Sequence, residues 1–164
     1  MLGLVGALGC SPTTHAPEAA RVSGGRALVG EHCEVRPPTG TLEPELKWAW
    51  TGSAVLADHD QVMMTPVVVD VNRDGVPDLV FSTFVGSTYQ TDGVLRAVSG
   101  DDGRELWTAT DPAARVKPAA SITAGDLDGD GQVEICAIPQ DGRGILCVEN
   151  DGSFKFRSAP DAYD

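Results

Sequence analysis

Asp70-Val71-Asn72-Arg73-Asp74-Gly75-Val76-Pro77-Asp78 and Asp126-Leu127-Asp128-Gly129-Asp130-Gly131-Gln132-Val133-Glu134 are two copies of one nine-residue pattern. Each places oxygen-bearing side chains at positions 1, 3, 5 and 9 and glycine at position 6. Clustered acids on a tightly curled loop repel one another until a cation neutralises them, so the pattern implies a hard divalent ion, Ca²⁺ first. Asp70, Asn72, Asp74 and Asp78 would supply side-chain oxygens in the first copy, with the carbonyl of Val76 at position 7. Asp126, Asp128, Asp130 and Glu134 would do so in the second, with the carbonyl of Gln132. A lone Asp-Gly-Asp-Gly reads equally well as an acidic turn; the repetition favours the ion.

The flanks decide what the loops connect. An EF-hand needs a bidentate Glu at position 12 and helices on both sides, but position 12 is Phe81 in one copy and Ala137 in the other. Thr65-Pro66-Val67-Val68-Val69 and Leu79-Val80-Phe81 are short, apolar and β-branched, as are Val133, Ile135 and Ile138. Such runs read as strands. Each repeat then continues as hairpin, strand, turn and strand, ending at Arg104-Glu105-Leu106-Trp107-Thr108 and at Ser153-Phe154-Lys155-Phe156. The prediction is an all-β chain of four-stranded antiparallel units, the signature of β-propeller blades.

Glu45-Leu46-Lys47-Trp48-Ala49-Trp50 matches only the last strand of such a unit. The expected organisation is a partial blade at 45–63, a blade at 64–112 and a blade at 118–160. Phe156 stands where Trp50 and Trp107 stand before their acidic loops, so the register predicts a chain cut before its next unit, with the remaining blades in a parent protein.

Residues 1–10 are small and apolar and end in Gly9-Cys10. This resembles the end of a bacterial lipoprotein signal, with Cys10 the lipidated residue and membrane attachment through it. The stretch is too short to span a bilayer. The Pro-, Ala- and Thr-rich sequence that follows makes 11–44 a tether. Cys136 and Cys147 lie symmetrically about Asp141-Gly142, a hairpin turn signal. If that dipeptide centres the turn, the two cysteines oppose each other about 4.5–5.5 Å apart, within disulfide reach. A bridge fits an exported protein, though two reduced core cysteines are the alternative. Cys33 has no evident partner.

The sequence has 24 acidic and 12 basic residues and a net charge of −12, which disfavours nucleic acid and anionic membranes as partners. Its 19 glycines and 11 prolines suit short strands and tight turns rather than long helices. No G-x-S-x-G, H-E-x-x-H or P-loop pattern is present. Of the histidines His15, His32 and His59, His32-Cys33 or Asp58-His59-Asp60 could form a metal or acid/base cluster, but solvated loop residues are the favoured reading.

The segments Val67 to Phe81 and Thr123 to Ile138 resemble the calcium-loop blades of the FG-GAP or VCBS repeat family of integrin-α-type β-propellers, and the outer strands extend the likeness over about 45–160. The Phe-Gly and Gly-Ala-Pro signature of that family is not clearly present, so the resemblance is to the calcium loop and the blade pattern. It implies the ten ligand positions named above and a calcium that rigidifies one rim while other surfaces bind partners. Gly103-Arg104-Glu105-Leu106-Trp107 also resembles the outer-strand motif of quinoprotein dehydrogenase propellers, in which Trp docks one blade on the next. The function expected is a non-enzymatic, calcium-binding segment of an exported, outer-membrane or cell-surface protein, binding an unknown protein or polysaccharide. A propeller-based polysaccharide lyase or quinoprotein dehydrogenase, and a structural spacer, are the other readings.

Overall fold

A computed structural model describes residues 43–158. The signal-like segment, Cys10, His15, His32, Cys33 and nearly all of the tether lie outside the described residues. Nine strands follow in chain order: β1 (His59–Gln61), β2 (Val67–Val69), β3 (Asp78–Val85), β4 (Val94–Val98), β5 (Glu105–Thr108), β6 (Thr123–Gly125), β7 (Glu134–Ala137), β8 (Leu146–Val148) and β9 (Phe154–Arg157). The described helical structure is a single 3₁₀ turn at Pro112–Ala114, capped by the Asp111 side chain on Ala113 N–H. No described helix is long and apolar enough to cross a membrane.

The strands form two antiparallel sheets. In the first, β2, β3, β4 and β5 lie in sequence order, and β1 pairs with the far end of β3. In the second, β6, β7, β8 and β9 repeat the same order. Even the irregularities repeat, with a register shift at Ala97/Val98 and another at Cys147/Val148.

Strand alternation assigns the faces. Across the first sheet runs the row Val67, Val80, Ala97, Trp107. It packs in one core with Ile135, Ala137, Leu146 and Val148 of the second sheet. The opposite face of the first sheet, with Leu79, Phe81 and Val98, packs on Trp48, Trp50 and Met64. The second sheet thus turns toward the first the face that the first turns toward the Trp48 segment. The segment between the sheets crosses through Val116, which bridges Gly93 and Pro139.

Glu45–Trp50 is not a strand, contrary to the sequence expectation. Its position is set by side chains instead. Trp48 Nε1 donates to Gly100 O at 3.1 Å, and a Cβ on Gly103 would sit 2.6 Å from the Trp48 ring. Trp107 repeats this on the next sheet: Nε1 donates to Asn150 O at 2.7 Å, and a Cβ on Gly152 would sit 2.6 Å from its ring. Glycine is needed at both turns because an indole lies where a side chain would be, and because φ is +75° and +81°. Indole docking therefore needs no strand beneath it.

Arg96 is wholly buried in the first sheet. Its guanidinium donates to Thr83 Oγ1, Thr108 Oγ1 and the carbonyls of Val55 and Leu56. These bonds fasten the segment before β1 to β4.

Candidate metal centre

The two nonapeptides join β2 to β3 and β6 to β7, so strands flank both. Four of their internal hydrogen bonds coincide position for position, while the second oxygen at position 1 accepts from position 5 in the first loop and from position 4 in the second. Position 1 accepts from the N–H at position 6: Gly75 to Asp70 at 2.9 Å and Gly131 to Asp126 at 3.0 Å. Position 3 accepts from position 5, Asp74 N–H to Asn72 and Asp130 N–H to Asp128. Position 5 accepts from position 7, Val76 N–H to Asp74 at 2.8 Å and Gln132 N–H to Asp130 at 2.7 Å. Position 9 accepts from position 2, Val71 N–H to Asp78 at 3.1 Å and Leu127 N–H to Glu134 at 2.7 Å. Each carboxylate spends one oxygen or more on the backbone, which curls the loop and gathers the carboxylates together. Gly75 and Gly131 have φ of +85° and +82°, where a β-carbon is disfavoured. Glu134, one methylene longer than Asp78, holds the same N–H, and both are fully buried at the start of their strands.

Burial raises the Asp78 pKa above the usual carboxylate range, with the charges of Asp74 and Asp70 acting the same way. Its Oδ1 is buried without a hydrogen-bond partner; the Gly100 amide is near enough to favour the charged form without completing a bond. Asp74 is shifted down by the Val76 N–H and by Asn72. Asp128 is shifted down chiefly by Lys155.

A divalent ion fits this set. The carboxylate oxygens of Asp126, Asp128 and Asp130 approach within 4.8 Å of one another, and like charges gathered so closely favour a cation. The buried, unpartnered oxygen of Asp78 is a group that an ion would satisfy. All the side-chain donors are oxygens, the preference of Ca²⁺ and Mg²⁺ rather than of softer metals. An ion held there would neutralise the acids and would tie the loop to the strand that follows it. The first loop is also tied to the second sheet, because Asn150 Nδ2 donates to Val71 O at 3.0 Å.

Cys136 and Cys147 are directly opposed in the β7–β8 ladder, Cα atoms 4.1 Å apart, and their sulfurs are bonded. His59 is buried on β1 rather than solvated, with Nε2 3.2 Å from Asp92 Oδ2. Two functional groups escaped the sequence reading. Lys155 on β9 reaches the second loop, and Glu149 at the end of β8 reaches Lys155. Alternation of Phe154-Lys155-Phe156 puts Lys155 on the face opposite Phe156, but only the sheet order shows that it meets Glu134.

No family model and no curated protein matches the chain. A solved structure does. The chain is similar to the V. cholerae biofilm matrix protein Bap1. The likeness has a TM-score of 0.62 and 35% identity, and covers 71% of this chain. It covers 21% of the Bap1 chain, so this chain spans about a fifth of that protein. The protein matched is a biofilm matrix protein.

Proposed function

We propose that this chain is a calcium-stabilised pair of β-repeats from an extracellular or surface protein, serving adhesion or matrix binding without catalysis. One observation carries the calcium reading: the second loop gathers the carboxylates of Asp126, Asp128 and Asp130, and the first loop, at the equivalent β2–β3 connection, is curled by the same position-6 to position-1 bond. Likeness to a biofilm matrix protein supports the extracellular setting, and so does the Cys136–Cys147 bridge. In the first loop the ion would be held by Asp70, Asn72, Asp74, Asp78 and the Val76 carbonyl. In the second it would be held by Asp126, Asp128, Asp130, Glu134 and the Gln132 carbonyl. Cys10 would carry a lipid anchor, with residues 11–44 as its tether.

The sheets are read as two FG-GAP- or VCBS-like propeller blades. Residues Thr123, Cys136, Cys147 and Phe156 form the row equivalent to Val67, Val80, Ala97 and Trp107. That first row is covered by the second sheet, whereas the second row borders an apolar groove of about 480 Å³. Leu127, Ile145 and Phe156 stand exposed along it. Continuity with the existing sheet–sheet contact supports a further repeat of this kind as the occupant. Phe156 would then dock on its turn as Trp48 and Trp107 dock on theirs.

The function is tested by incubating the full chain with purified biofilm exopolysaccharide and matrix protein, in calcium and in chelator. Calcium-dependent retention is expected. Absence of retention on either partner would refute the adhesive reading, and release of reducing sugar would point to a lyase instead.

A further inference from the structure

The two loops are not equivalent, and the difference lies in a side chain outside both. Lys155 Nζ is 2.8 Å from Asp128 Oδ2 and 3.1 Å from Glu134 Oε1, which are positions 3 and 9 of the second loop. It is also 2.9 Å from Glu149 Oε1, which lies outside the loop. Among the described residues no ammonium or guanidinium is ion-paired to the first loop; Arg104 acts on Asp74 only at longer range and is paired with Asp102. Phe156 and Trp107 are equivalent, as are Val148 and Val98, so the residues standing for Lys155 and Glu149 are Leu106 and Ser99. Position 3 differs in the same sense, Asn72 against Asp128. The second repeat therefore carries a set of three changes: an ammonium, one more carboxylate within the loop, and another beside it.

The first loop shows the opposite condition. Its position 9, Asp78, is fully buried with an oxygen that has no hydrogen-bond partner. The equivalent Glu134 has one oxygen on Leu127 N–H and the other on Lys155.

We propose that Lys155 is a tethered cation that competes with the divalent ion for the second loop, making the first loop the high-affinity site. This rests on the calcium reading above. An ammonium ion-paired to two of the five ligand positions must leave before those oxygens can turn to a metal. Glu149 gives it somewhere to go: Lys155 keeps one partner when it swings out, so the second loop fills at higher calcium instead of never. The second loop is thereby a low-affinity sensor beside a structural site. A charge-assisted hydrogen bond contributes enough that losing one weakens binding about tenfold or more.

Calorimetric titration of the full chain with CaCl₂ tests this. The wild type is expected to show a tight step and a second step at least about tenfold weaker. Asp74→Asn should remove the tight step and Asp130→Asn the weak one. Lys155→Met should strengthen the weak step about tenfold. Glu149→Gln, which leaves Lys155 only the loop to hold, should weaken it. Lys155→Met leaves the charge on buried Glu134 uncompensated, so Glu149→Gln and the wild-type asymmetry stand as readouts that need no change at Lys155. Two equal wild-type steps, or a tight step lost in Asp130→Asn, would overturn the inference and leave the calcium reading standing. No heat from the wild type would remove both.

Discussion

Withdrawing calcium should lower the thermal stability of the chain by an amount set by its sites. An ion that binds only the folded state stabilises by RT ln(1 + [L]/Kd), about 2.7 kcal/mol for one site at a hundredfold excess over Kd. If the first loop alone is saturated under those conditions, that is the whole effect; with both loops saturated it approaches twice as much. For a domain near a hundred residues, 1 kcal/mol shifts Tm by roughly 4 °C or more. The expected shift is therefore on the order of 10 °C from one site. It should be transmitted beyond the loop, because Asn150 of the second sheet is bonded to Val71 inside the first loop. The assay is differential scanning calorimetry in CaCl₂ and in chelator at matched ionic strength, since salt alone screens the net charge of −12. A magnesium series is the control, because Mg²⁺ demands tighter octahedral geometry and gives up water reluctantly. Identical transitions in calcium and chelator would refute the reasoning, as would a shift reproduced in full by sodium at the same ionic strength.

Other consequences follow from particular side chains. Arg96→Met should destabilise the chain by about 3 kcal/mol, since it strands the Val55 and Leu56 carbonyls and two buried hydroxyl contacts; urea unfolding measures it, and a change under 1 kcal/mol would mean that those groups rehydrate. Reducing Cys136–Cys147 releases a short loop and should cost about 2–3 kcal/mol, read as a lower Tm in reductant that Cys136→Ser reproduces. Arg157 holds the Asp141 carboxyl below the ordinary value of 3.8. A depressed folded pKa stabilises above the unfolded value, and this contribution is lost as pH falls through the folded pKa. The stability gap between wild type and Arg157→Met should therefore be constant near neutrality and close below about pH 4; a gap that persists in acid would show that the pair acts through packing.

Much of the architecture was legible because strand signals are local. β-branched runs ending in Asp-Gly turns announced strands on both sides of each loop, and position 12 excluded the EF-hand without any coordinates. The symmetry of Cys136 and Cys147 about Asp141-Gly142 placed them opposite each other because an antiparallel register is fixed by its turn. The reading failed where a contact is long in sequence and weak in pattern. Glu45–Trp50 looks like a strand, yet its place is fixed by an indole on Gly103. Arg96 has a polar sequence signature and is nevertheless buried, since three separate segments supply its acceptors.

By itself the sequence determined the strand–loop–strand units, their repetition and the oxygen-rich composition of the loops, because each depends on neighbours within about ten residues. Tertiary structure decided which face of each sheet is covered and that the two loops differ. Lys155 meets Asp128 and Glu134 across two ladder steps, from β9 past β8 to β7. Only the order of strands in the sheet creates that proximity, and the electrostatics of the second loop depends on it.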